Sequence, residues 1–104
     1  MDYHDKITGP FEVKEVATVY GMITDMAVVH RGGRLDLHGL IAGELVVEAG
    51  GVAFIHGMVS GLMRNEGQAV VLGMVDHIVT GPSGNTDIRA GALVKSHQRL
   101  DDLA

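Results

Sequence analysis

The clearest order in the chain is a spacing of aliphatic residues by six. Counting from Ile23, the positions read Ile23, Val29, Leu35, Ile41, Val47, Ala53, Val59, Asn65 and Val71, and all but Asn65 are aliphatic. An amphipathic helix repeats its apolar face near every 3.6 residues, and a step of six falls off that wheel. Six residues instead make one short strand and a bend, and three such sides close a coil of about 18 residues. The longer period is visible directly. Tyr20–Leu37 (YGMITDMAVVHRGGRLDL), His38–Ile55 (HGLIAGELVVEAGGVAFI) and His56–Leu72 (HGMVSGLMRNEGQAVVL, one residue shorter) align, and a fourth unit opens at Gly73 and then drifts. Gly21, Gly39, Gly57 and Gly73 each precede Met or Leu and then Ile or Val, and a second glycine site recurs at Gly32-Gly33, Gly50-Gly51 and Gly67. Val and Ile favour strands, while glycine at corners permits positive φ and close chain approach.

This pattern predicts an all-β, single-domain parallel β-helix, three-sided, with about 18 residues per coil. Parallel crossovers are strongly biased to the right hand, so a right-handed coil is preferred. Three interior ladders are expected: Ile23–Ile41–Val59, then Val29–Val47–Asn65, then Leu35–Ala53 with Val71 or Val70. Asn65 is either a polar rung of the interior or the corner where the deletion sits. Residues 1–12, with three acids and Pro10, form an N-terminal edge that discourages edge-to-edge pairing. Residues 13–80 hold the repeat coils, and 81–89 (GPSGNTDIR) read as a polar loop. Residues 90–104 are the last strand, at 90–94, and a short C-terminal cap, in which Ser96 N-caps a helical turn that places Leu100 and Leu103 on one face.

Strand side chains alternate, so the residue before each interior position points outward. That outer series is Met22, Val28, Arg34, Leu40, Val46, Val52, Met58, Arg64 and Val70, apolar except for the two arginines. A solvated strand face should be more polar than this. An apolar ladder flanked by Glu44, Glu48, Arg34 and Arg64 reads as a contact surface, and Met suits adaptable interfaces. The expected partner-binding residues are Met22, Val28, Leu40, Glu44, Val46, Met58 and Arg64.

Composition narrows the function classes. The formal charge is −5, which argues against nucleic-acid binding. Cysteine is absent, removing disulfides, thiolate metal sites and a Cys nucleophile. No run of 18 apolar residues predicts a membrane span, and Met1-Asp2-Tyr3-His4-Asp5 carries no signal-peptide pattern, so the expectation is a soluble, cytoplasmic protein. Tyr20, His38 and His56 share one place in successive units, and such a stack makes surface charge sensitive to mild acid. Two imidazoles fall short of the three or four protein ligands zinc takes, so no metal and no cofactor is expected. His30 and His77 stand more isolated. Ser60, Ser83 and Ser96 lie in no nucleophile elbow, and the carboxylates are scattered around the coil. No catalytic set emerges, and the chain reads as a non-enzyme.

Residues 20–79 resemble the bactofilin, or polymer-forming, repeat, with its Gly–x–(Ile/Val) openings and Gly-Gly midpoint, as in HGLIAGELVVEAGGVAFIHG. That resemblance implies a right-handed β-helix and, in the family, cytoskeletal subunits joined end to end. This chain departs from it in having fewer coils, a deletion and polar ends. Short acidic chains with such coils also resemble immunity proteins of bacterial polymorphic-toxin systems, which implies a protein partner such as a basic toxin domain. A six-residue period is similar to that of hexapeptide-repeat acyltransferases as well, which would make His38 or His56 the catalytic candidate in a trimer. The expected function is therefore a protein-binding module that neutralises a cognate toxin. The alternatives are a self-assembling bactofilin-like subunit or homo-oligomer, and then the acyltransferase-like enzyme.

Overall fold

The computed structural model describes residues 2–3, 6–7, 10–82 and 84–99. Among them run fifteen strands: β1 (Asp2–Tyr3), β2 (Lys6–Ile7), β3 (Phe11–Val13), β4 (Val16–Val19), β5 (Met22–Ile23), β6 (Met26–Val29), β7 (Arg34–Leu37), β8 (Leu40–Ile41), β9 (Glu44–Val47), β10 (Val52–Ile55), β11 (Met58–Asn65), β12 (Gln68–Val71), β13 (Met74–Thr80), β14 (Asn85–Ile88) and β15 (Leu93–Arg99). No helix is present among the described residues, so none is long and apolar enough to cross a membrane. Every pairing is parallel, between one coil and the next, and the chain winds a β-solenoid of about five turns.

The first side stacks β1, β4, β7, β10, β12 and β14. The second stacks β2, β5 and β8 and continues into the first residues of β11, β13 and β15. The third stacks β3, β6 and β9 and then the later residues of those same three long strands. A bulge between Val59 and Leu62 carries β11 around the bend without a break.

All nine members of the six-step series are buried. Ile23, Ile41 and Val59 stand in register, and the column continues to Val75 and Val94. The longer sides each supply two inward positions, which adds Val19–Leu37–Ile55–Val71 and Ala27–Leu45–Met63–Ile78 to the core. The series visits three of the five inward positions of a regular coil, because a step of six meets one per side.

Several expectations need correction. The coil that opens at Val52 is two residues shorter than its predecessor, since Val52 pairs with Arg34, 18 positions back, but with Gln68, 16 positions on. The loss falls in the bend at Glu66-Gly67, so the rung above Leu35 and Ala53 is Ala69, and neither Val71 nor Val70. Removing two residues keeps the alternation of strand side chains in phase, which is why Val71 still points inward. The segment 81–89 is not a loop throughout, because Asn85–Ile88 is a strand paired to β12. The N-terminal strands β1, β2 and β3 already make the three sides of a coil, paired to β4, β5 and β6. The last strand is Leu93–Arg99, and Ser96 lies within it rather than capping a helical turn. Leu100 and Leu103 fall outside the described residues.

Asn65 is a buried rung between Val47 and Thr80. Its Nδ2 donates to the Asn85 carbonyl at 2.9 Å and to Thr86 Oγ1 at 2.8 Å, and its Oδ1 accepts from the Gly67 amide at 3.0 Å. Thr86 Oγ1 meets Thr80 Oγ1 at 2.8 Å, and Thr80 Oγ1 meets His97 Nε2 at 2.9 Å. The apolar interior thus gives way to a hydrogen-bonded chain in its last two coils. Asn65→Val would extend the Val29–Val47 ladder but strand the Gly67 amide. Orphaning a buried partner costs about 1–3 kcal/mol, so urea denaturation of Asn65→Val should show a loss of that order. A gain in stability would mean the network contributes nothing.

Candidate functional site

The outward positions form columns because the parallel register is nearly unbroken. On the second side, Met22, Leu40 and Met58 pair in succession, and the column continues to Met74 and Leu93. On the third side, Val28, Val46 and Arg64 pair in succession, followed by Val79. Glu44 pairs with Met26 on that same side. The structure therefore brings the seven expected residues onto two adjoining sides, which the long strands join into one sheet. The apolar members are half-buried by their rung neighbours rather than fully exposed, while Arg64 is exposed.

The flanking charges divide differently from expectation. Arg34 belongs to the first side, with its guanidinium carbon 4.5 Å from the Phe54 ring centroid and Nε 3.3 Å from Asp36 Oδ1. Glu48 is engaged at the opposite bend by His30. Of these four charges only Glu44 and Arg64 lie on strands of the Val28–Val46 side, where Glu12 also stands in the column, paired with Val28. Met74 and Leu93 were missed because the shortened coil breaks the count by six. Leu93 is the most exposed of them, at 62%. The signal for Met74 was present in Gly73-Met74-Val75, which repeats Gly57-Met58-Val59.

Beside the Met22 column runs a second stripe. The Tyr20 and His38 rings stack at 5.0 Å between centroids and 13° between planes, and His38 and His56 at 4.5 Å and 2°. Leu72, 41% exposed, follows in the next coil. Rings stacked face to face direct their nitrogens side by side, so the pair offers a flat aromatic surface rather than converging ligands. Among the described residues, no group of three or more His, Cys, Asp or Glu lies close enough to hold a metal.

His30, which looked isolated in the sequence, is not. Its Nε2 lies 2.9 Å from Glu12 Oε1 and its Nδ1 2.8 Å from Glu48 Oε1. The hydrogen bond with Glu12, and then that with Glu48, hold its pKa above the ordinary histidine value against a small opposing effect of burial. A spacing of 18 links Glu12, His30 and Glu48 in the sequence. A surface depression of about 330 Å³ opens at the shortened bend, lined by Gly50, Glu66, Gly67, Gln68 and Asn85 among others. It carries one carboxylate and no histidine.

No family model matches the chain, and neither a curated protein nor a solved structure matches it.

Proposed function

We propose that the chain is a non-enzymatic protein-binding module that engages its partner through the adjoining second and third sides of the solenoid. The observation that carries this reading is the in-register apolar column Met22–Leu40–Met58–Met74, which runs over four coils on a strand face where polar residues would be expected. Apolar rungs supply burial, and methionine adapts to a partner's contour. The formal charge of −5 favours a basic partner, whose approach it would steer. With the bactofilin-like repeat, these features favour a bacterial toxin domain neutralised in the cytoplasm by a bound immunity protein.

The test is a double substitution. Leu40→Glu with Met58→Glu places two carboxylates on the column without touching the buried rungs. Where a toxin-like reading frame adjoins the gene, the double variant is expected to lose protection in cells co-expressing that product, while its circular dichroism spectrum is retained. Full protection by the folded double variant would reject this face as the binding surface.

A second reading, a self-assembling structural subunit, is favoured by the far end of the solenoid. There β14 and β15 each pair with strands of one preceding coil, and Ile88 and Leu93 are 39% and 62% exposed. Light scattering and negative-stain microscopy over rising concentration separate the two. Filaments would favour assembly, and a concentration-independent monomer would favour the binding module.

A further inference from the structure

The bend after the third side brings three coils together at one side chain. Glu12 comes from β3 in the first coil, His30 follows β6 in the second, and Glu48 follows β9 in the third. We propose that His30 is a proton-dependent clamp that holds the first coil of the solenoid onto the next two.

The chemistry follows from the ring. An imidazolium donates from both nitrogens and satisfies both carboxylates. A neutral imidazole has one N–H and one lone pair, so it can donate to one carboxylate only and turns its lone pair on the other. The geometry, with both nitrogens within 2.9 Å of a carboxylate oxygen, is complete only when the ring is charged. Other charges at the bend act in both directions. The register carries Lys14 beneath His30, where it opposes the proton, and Glu66 above Glu48, where it favours it. Arg31, next in the chain, packs its side chain against Gly50. The two carboxylates in direct contact dominate, and the His30 pKa is raised.

A histidine whose pKa is raised by folding adds stability that is fully present below its ordinary value of 6.5 and is lost as pH rises through the raised value. The part that loosens is fixed by topology. Among the described residues β3 pairs with β6 alone, with Val13 buried, Phe11 partly so and Glu12 held by His30. Loss of the proton therefore favours release of β3, which bares the edge of β6 and the end of the core at Ala27 and Val29.

Amide hydrogen exchange on the full chain tests this, corrected for the intrinsic pH dependence of exchange. The reporter is the His30 amide, bonded to the Val13 carbonyl at 2.9 Å, and the reference is the Met58 amide, bonded to the Gly39 carbonyl at 3.0 Å in the middle coils. Between about pH 5 and about pH 9, either side of the ordinary histidine range, protection of the reporter relative to the reference should fall severalfold in the parent. In Glu12→Gln the amide can donate to a neutral ring while that ring donates to Glu48, so the ratio should stay level. A level ratio in the parent would overturn the proposal, as would a fall that persists in Glu12→Gln. A ring titration by NMR placing the His30 pKa at or below 6.5 would overturn it as well.

Discussion

Gly57→Ala is expected to be among the most damaging single substitutions in this chain, although it adds one methyl group. Gly39, Gly57 and Gly73 stack at the same bend, where successive coils approach too closely for a side chain. A Cβ built on Gly57 falls well inside contact with the Gly39 carbonyl oxygen and 2.7 Å from the His38 carbonyl oxygen. Both obstacles are backbone, and the coil beneath cannot yield, because the Met58 amide bonds that same Gly39 carbonyl. Overpacking a close-packed interior typically costs about 1–3 kcal/mol and occasionally more, and the rigid obstacle puts Gly57→Ala at or beyond the top of that range. Gly32→Ala is the control. Gly32 has φ of 82° but nothing within 4 Å of an added Cβ. Its cost is left-handed strain alone, about 1–2 kcal/mol. Equal midpoints for the two variants in urea denaturation would show that close approach at the bend is not what requires glycine.

Ile41→Ala should be comparably severe for the opposite reason. Ile41 is fully buried between Ile23 and Val59, in the middle of its column. Truncation of a buried Ile to Ala costs about 2–5 kcal/mol, with the larger values where the surroundings cannot collapse. Here they cannot, since the strands above and below are fixed by their ladders at the ~4.8 Å spacing of paired strands. Ile7→Ala, at the open end of the same column and only partly buried, should cost clearly less. Thermal or chemical denaturation measures both. A cost for Ile41→Ala no greater than that for Ile7→Ala would contradict the picture of an interior that cannot close over a lost side chain.

The solenoid was legible in the sequence because it is built by repetition. Where the coil keeps its length of 18, from Val16 to Ile55, the spacing of Ile23, Val29, Leu35, Ile41, Val47 and Ala53 maps directly onto buried rungs. What was hidden lies where the length changes. The rung at Ala69 was missed because the unit from His56 was taken as one residue short, although Gly57 and Gly73 stand 16 apart where Gly21, Gly39 and Gly57 stand 18 apart. The strand Asn85–Ile88 was hidden by its composition. Its inward residue Thr86 is polar, and it fits because Asn65 and Thr80, on the two preceding coils, are polar too. A polar rung is recognisable only when its neighbours in space are known. The Glu12–His30–Glu48 cluster was hidden for a related reason. The first coil steps by 16, as Phe11 to Ala27 shows, so Glu12 reaches His30 diagonally rather than from the adjacent rung. The Met22–Leu40–Met58 and Val28–Val46–Arg64 columns were readable, since both lie within the regular coils. Met74 and Leu93 lie beyond the shortened bend.

That shortened bend also bears on how such a chain can change its length. Along a straight side, the two faces behave like the two letters of a reading frame, and an even gain or loss restores the message while an odd one inverts every following residue. The step at Glu66-Gly67 is an in-frame edit of this kind. The bend at Asp76 is different. Two paired residues three apart in β11, Val59 and Leu62, meet two that are only two apart in β13, Val75 and His77, and a bulge absorbs the odd residue. Length variation in this chain is therefore taken up at its bends, as a pair at Glu66-Gly67 and as a single residue at Asp76.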